Sequence, residues 1–274
     1  MQVVPAQFDH RRESAEFRRP RLRPGVELYR AHIVRHAFEP HTHDAFGFGV
    51  IESGVERFRY LGADHLAPAD SIVSMNPDEL HTGRAESEDG WRYRMIYIDP
   101  DVVESVTGER GWWFDDAVRH DERSARNVTR LLDSLWQQAQ EPLAFDSLLF
   151  SVLAELRRYA RTPRATVTRG QRFEGVVDYL HTHLSRRLSL EELATVAGLS
   201  PFHFLRSFQK QYHATPQQML MALRLLEAKR LLASGEAPSQ VAAATGLADQ
   251  AHLTHAFARR YGVTPARYQR QLHN

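Results

Sequence analysis

One stretch of this chain occurs twice. Leu193, Ala197-Gly198-Leu199, Phe204, Phe208, Tyr212 and Thr215-Pro216 return in order as Val241, Thr245-Gly246-Leu247, Leu253, Phe257, Tyr261 and Thr264-Pro265. The offset is 48 residues through the Gly-Leu turn and 49 beyond it, so one residue is inserted where the second helix of the later copy begins. A period of this length marks a repeated supersecondary unit. Each copy reads as helix, tight turn, helix. Ser189 with Glu192 has the spacing of a capping box, Gly198 suits the left-handed residue that ends a helix, and Ser200-Pro201 opens the next one. Asp249 is the expected cap in the later copy. Phe204 and Phe208, like Leu253 and Phe257, are four apart and face inward. The free face of the first unit's second helix then carries Phe202, Leu205, Arg206 and Gln209. That of the later unit carries Gln250, His252, Thr254 and His255.

Such a face suits the DNA major groove. Arg and Gln make paired hydrogen bonds to base edges, and apolar side chains touch thymine methyl groups. The joining stretch, 217–233, spans roughly 25 Å as a helix. That is of the order of the ~34 Å between successive major grooves on one face of the duplex. Lys210, Arg259 and Arg260 at the ends of these helices, with Arg224, Lys229 and Arg230 between the units, are candidate phosphate contacts; solvated surface charge is the other reading of each. Residues 171–274 carry 12 Lys and Arg against 7 Asp and Glu, and residues 1–170 carry 23 against 27. The asymmetry fits a basic nucleic-acid-binding end, but a difference this small decides nothing alone.

The front of the chain has another rhythm. Short β-rich runs at 26–34, 46–52, 55–60, 71–75 and 91–98 alternate with Gly and Pro turn signals, which argues for a β-barrel or sandwich. Residues 1–25, with Arg11, Arg12, Arg18, Arg19, Arg21 and Arg23, read as a loosely held basic arm. From 123 to 159 the period becomes helical. Val128, Leu131, Leu132, Leu135, Trp136 and Ala139 form one stripe; Phe145, Leu148, Leu149, Val152, Leu153, Leu156 and Tyr159 form another after Pro142. These helices would cover the barrel. The near-heptad spacing of the second also allows a homodimer through residues 123–160. Residues 161–170 mix Thr, Pro, Arg and Gly without apolar period, as a linker does.

The repeated segment closely resembles the AraC/XylS family of bacterial transcription regulators over about residues 172–270. The text that carries the resemblance is LSLEELATVAGLSPFHFLRSFQKQYHATP and APSQVAAATGLADQAHLTHAFARRYGVTPARY. The resemblance implies base contacts by Phe202, Leu205 and Arg206 in the first unit and by Gln250, Thr254 and His255 in the second. It also implies RNA polymerase as a partner and activation as the commoner outcome. His255 departs from the pattern, where Arg often stands; histidine is shorter and mostly neutral at pH 7.

Residues Pro40-His41-Thr42-His43-Asp44 and Asn76-Pro77-Asp78-Glu79-Leu80-His81 resemble the cupin-type sensor domain of such regulators. His41 and His43, two apart, share a strand face, and His81 would return beside them. Three roles stay open for these histidines: contacts to a small-molecule effector, ligands of a divalent metal, or structure only. Trp91 and Tyr93, with Tyr97 on the same strand face, are further candidates to line the pocket. No Glu follows the His-x-His pair closely, as it does in cupin enzymes, so no cofactor is expected in the leading reading. That reading is a two-domain α+β chain: a cupin-like effector-binding and dimerisation barrel at 26–160, a linker at 161–170, and an all-α tandem helix-turn-helix domain at 171–274 that binds double-stranded DNA. The competing one is a metal-dependent cupin enzyme fused to a DNA-binding domain. The absence of cysteine excludes disulfide frameworks and thiol chemistry. With no hydrophobic signal or spanning segment, a cytoplasmic address and no membrane contact are expected.

Overall fold

The structure is a computed structural model that describes residues 8, 10–21, 23–137, 142–162 and 173–273. Its strands are β1 (Ser14–Arg18), β2 (Val26–Ile33), β3 (Ala37–His41), β4 (Phe46–Tyr60), β5 (Ala63–Pro68), β6 (Ser71–Met75), β7 (His81–Ala85), β8 (Trp91–Ile98) and β9 (Val118–His120). One layer runs β1-β2-β8-β4-β6-β9, and the second half of β4 pairs with β5 and with β7, which in turn pairs with β3. The runs expected at 46–52 and 55–60 are thus a single strand shared by both layers. The change of layer occurs at Gly54, whose φ is +76° and where any Cβ would lie 2.0 Å from the Gly90 carbonyl oxygen. Only glycine fits such a backbone approach.

The period of two along the strands sorts the core. Trp91, Tyr93 and Met95 of β8 point between the layers, while Ile96 and Ile98 join Val26, Leu28, Phe46, Phe48 and Val50 on the outer face. Helices α1 (Pro100–Thr107), α2 (Glu122–Gln137) and α3 (Pro142–Arg157) cover that outer face. The described residues of both helical stripes pack there, and Ala139 of the first lies outside the described residues. Leu149, Val152 and Leu153 are fully buried, so the near-heptad stripe of α3 is core rather than a pairing surface. The opposite face of α3 instead exposes Leu143 (81%) and Phe150 (58%).

The segment expected as a basic arm contains a strand. Ser14–Arg18 pairs antiparallel with β2 and buries Ala15 and Phe17. Its arginines hid a period-two strand, and several of them are paired, Arg12 with Asp89, Arg19 with Glu27 and Arg23 with Asp146. Of the segment expected as a linker, Arg161 is bonded backbone to backbone with Trp113, and residues 163–170 lie outside those described.

The helical part comprises α4 (Glu174–Thr182), α5 (Leu190–Val196), α6 (Pro201–Tyr212), α7 (Pro216–Ala233), α8 (Pro238–Ala244), α9 (Gln250–Tyr261) and α10 (Pro265–His273). The one-residue insertion is the longer turn of the later unit, 245–249 against 197–200. Ser189 caps α5 through the Glu192 amide, but the Glu192 carboxylate goes to the Tyr179 hydroxyl and Arg186 rather than closing the box. The complete reciprocal box is at α7, between Thr215 and Gln218. The first unit has its own core of Phe173, Leu180, Leu193, Phe204 and Phe208. The second does not. Leu232, Val241, Leu253, Phe257 and Tyr268 are continuous with the barrel interior through Phe17 and Tyr261. No helix among the described residues is long and apolar enough to cross a membrane.

Candidate nucleic-acid interface and sensor cavity

The second helices of the two units, α6 and α9, present the expected faces. On α6, Arg206, Gln209 and Lys210 are exposed, Leu205 is half-buried, and Phe202 is 70% exposed. An aromatic ring left this bare at the start of α6 is available for apolar contact with a partner. On α9, Gln250 and His255 are exposed and Thr254 is half-buried. The Thr254 hydroxyl donates to the Gln250 carbonyl at 2.8 Å, and the His252 ring folds back to accept from the Ala248 amide. Joining them, α7 has 18 residues, roughly 27 Å of helix.

Several expected phosphate contacts are used up inside the protein. Arg224 is buried and donates to the carbonyls of Leu184 and Arg186 at 2.7 and 2.6 Å. Arg260 is buried, donating to the Pro40 carbonyl at 3.0 Å and pairing with Glu39. Arg259 is exposed but also pairs with Glu39, at 2.9 Å. Arg230 is exposed and paired with Glu227. Lys229 is buried against Glu27. A buried cation must find carbonyls or a carboxylate; Lys229 and Arg260 meet theirs because α7 and α9 lie against the barrel, whereas Arg224 meets its own within the first helical unit.

The Lys229 site is a polar island in an aromatic cage. Its ammonium lies 5.0–5.7 Å from the ring centroids of Phe17, Tyr97, Tyr261 and Tyr268. Glu27 accepts from Lys229, from Arg19 at 2.7 Å and from the Tyr268 hydroxyl at 2.7 Å. Burial alone would raise the Glu27 carboxyl, but the Lys229 and Arg19 charges outweigh it and hold it at about 2.

Beside this island, inside the barrel, is a cavity of about 40 Å³. His41, His43, His81 and Tyr93 line it, as does Tyr97, and Tyr261 and Arg260 of α9 also contribute to its wall. Trp91 is not in the wall. It is fully buried, stacked on Tyr93 with ring centroids 5.6 Å apart, and acts as backing for the cavity. His41 ends β3, while His43 lies beyond the strand, so loop and strand together deliver the pair. His81 opens β7 directly opposite His41. Burial pushes all three imidazoles toward the neutral form, His81 to about 4. Glu56 lines the same cavity, and burial lifts its carboxyl to about 8. It escaped the candidate residues above, although it alternates with Phe58 and Tyr60 on the inward face of β4 while Arg57 and Arg59 turn outward. A second, open cleft of about 850 Å³ runs between the barrel and the first unit, past His81, Trp113, Tyr212 and His213.

Residues 23–154 match the family model described as an AraC-like ligand binding domain, and residues 193–271 match a helix-turn-helix domain model. The uncharacterized HTH-type transcriptional regulator YbfI of Bacillus subtilis (strain 168) is 30% identical over 83% of this chain and 86% of its own length. The HTH-type transcriptional activator RhaS of Enterobacter sp. (strain 638) is 23% identical over 84% and 86%. Among solved structures, unsaturated fatty acid bound ToxT from Vibrio cholerae strain SCE256 superposes with a TM-score of 0.57. It is 14% identical and covers 96% of this chain and 98% of its own. At that identity the likeness is one of fold.

Proposed function

Because the chain belongs to the AraC family of transcriptional regulators, we propose that it binds an operator through α6 and α9, and that a small ligand in the barrel cavity governs how α9 is presented. One observation carries this reading: Tyr261 and Arg260 line the cavity from the end of the helix on which Gln250 and His255 are exposed. A ligand that binds one arrangement of α9 better than another shifts the balance between them by its difference in affinity. The units 26–160 and 171–274 then act as sensor and reader in a cytoplasmic regulator, with RNA polymerase as the downstream partner and activation as the outcome.

The fatty acid of the ToxT structure is not carried over with the fold. A 40 Å³ cavity lined by imidazoles and phenols accommodates neither a long acyl chain nor an organic substrate, whose pockets run to about 300–1,000 Å³. That volume limits an occupant of this cavity to an ion or a few waters, and the regulators among the relatives favour the non-enzyme reading.

Two measurements test the proposal. Arg206→Ala should weaken operator binding by about 1–3 kcal/mol and relax the preference at one base pair, as loss of a bidentate base contact does. Unchanged discrimination between operator and random duplex in a gel-shift titration would remove Arg206 from the reading set. For the homodimer, the relevant surface is the outer face of α3. Phe150→Asp together with Leu143→Asp should convert a dimer to monomer in sedimentation equilibrium while leaving the circular dichroism spectrum unchanged, because both side chains are exposed in the single chain. A wild-type monomer, or a double variant that still dimerises, would exclude this face.

A further inference from the structure

The cavity has room for about one ion and a water: a water needs some 10–15 Å³ by the same kind of measure, against about 40 Å³ here. Its polar lining is specialised. His41 Nδ1 lies 2.8 Å from the Glu39 carbonyl oxygen, and His81 Nδ1 lies 3.1 Å from that of Glu79. A carbonyl only accepts, so each Nδ1 carries the proton and each Nε2 presents a lone pair. This is the backbone support that orients metal-bound histidine. His43 Nε2 and the Tyr261 hydroxyl are both buried without a hydrogen-bond partner, and a buried orphan of this kind is costly. One nitrogen from each histidine can be chosen so that all three lie within 4.8 Å of one another. The Tyr261 ring centroid is 5.9 Å from that of His41 and 6.2 Å from that of His43.

We infer that His41, His43 and His81 hold one divalent transition-metal ion beneath Tyr261, so that the ion ties the barrel to the C-terminal end of the second recognition helix. The inference rests on the reading of the barrel cavity as the sensor site and names its ligand class. Three imidazoles and a phenol suit Zn²⁺, Co²⁺, Ni²⁺ or Cu²⁺ and not the all-oxygen preference of Mg²⁺ or Ca²⁺. Nitrogen–metal bonds of about 2.0–2.1 Å place tetrahedral nitrogens about 3.3 Å apart, so the nitrogen–nitrogen separations must shorten by up to about 1.5 Å. The two neighbouring cations, Lys229 and Arg260, are already paired with Glu27 and Glu39 and so repel the ion less than free charges would.

The test is direct metal binding by the full-length chain after chelator treatment, with Zn²⁺ in calorimetry, Co²⁺ in visible spectroscopy and Mg²⁺ as control. One Zn²⁺ per chain is expected, with a raised melting temperature and the intense visible bands of four-coordinate Co²⁺. His43→Ala should bind at least 100-fold more weakly; folding is checked by circular dichroism in chelator, and His43→Gln serves if the alanine variant fails. Tyr261→Phe should keep the ion but shift the Co²⁺ bands. Binding no tighter than that of Mg²⁺, or a His43 variant that binds like wild type, would overturn the site. Co²⁺ bands unchanged in Tyr261→Phe would overturn the tie to α9. Operator footprinting on the same samples separates the two readings. Footprints without metal binding sink only this inference, whereas metal binding without any operator preference sinks the regulator reading.

Discussion

Lys229→Ala is expected to lower folding stability by about 3–5 kcal/mol, the cost of leaving a buried carboxylate short of its partner. Glu27 is fully enclosed and would retain only Arg19 and the Tyr268 hydroxyl. Lys229 is on α7 and Glu27 on β2, so the loss falls on the contact between barrel and helices rather than on either alone. Native-state hydrogen exchange should therefore show β1, β2 and α10 losing protection together, since Gln271 of α10 bonds the backbone of Ala15 and Phe17. The double variant Glu27→Gln/Lys229→Met should recover much of the stability, because replacing both charges removes the desolvation cost that each carries. If urea titration gives Lys229→Ala within 1 kcal/mol of wild type, the pair does not join the two parts.

Glu56→Gln should be more stable than wild type by roughly 3 kcal/mol at pH 7. Burial raises the Glu56 carboxyl from 4.5 to about 8, so at neutral pH the folded protein holds a proton that the unfolded chain has released. Such a group favours the folded state below the unfolded value, and that contribution is lost as pH rises from about 4.5 to about 8. At 1.36 kcal/mol per unit, the interval from 4.5 to 7 amounts to about 3 kcal/mol. Glu27 has the opposite sign. Its carboxyl is held at about 2, so its stabilisation is complete above about 4.5 and lost as pH falls toward 2. Wild-type stability in chelator-treated buffer should therefore peak near pH 5, with Glu56→Gln removing the alkaline slope and leaving the acid limb. An alkaline slope that survives in Glu56→Gln would assign it to another group.

Much of this was legible from local pattern. The duplicated helix-turn-helix, its inserted residue, the inward Phe204, Phe208, Leu253 and Phe257, and the strands at 71–75 and 91–98 all follow from periodicity and turn residues. Glu56 was legible too, from its alternation with Phe58 and Tyr60, but a charged residue on an inward face is easily passed over. The stripe of α3 misled because apolar spacing states that a face is buried, not against what. Arg18, Arg19 and Arg23 masked β1 for a similar reason: composition averaged over 25 residues outweighed the two-residue alternation of Ala15 and Phe17.

By itself the sequence determined what neighbours along the chain can decide: helix, turn, strand, which face of each is apolar, and membership of the family. The tertiary structure alone decided which charges are free. Lys229 and Glu27 are 202 residues apart in sequence, and Arg260 and Pro40 are 220 apart. No periodicity reports such a meeting, because a cation bound for phosphate and one bound for a buried carboxylate are the same residue until the chain has closed around it.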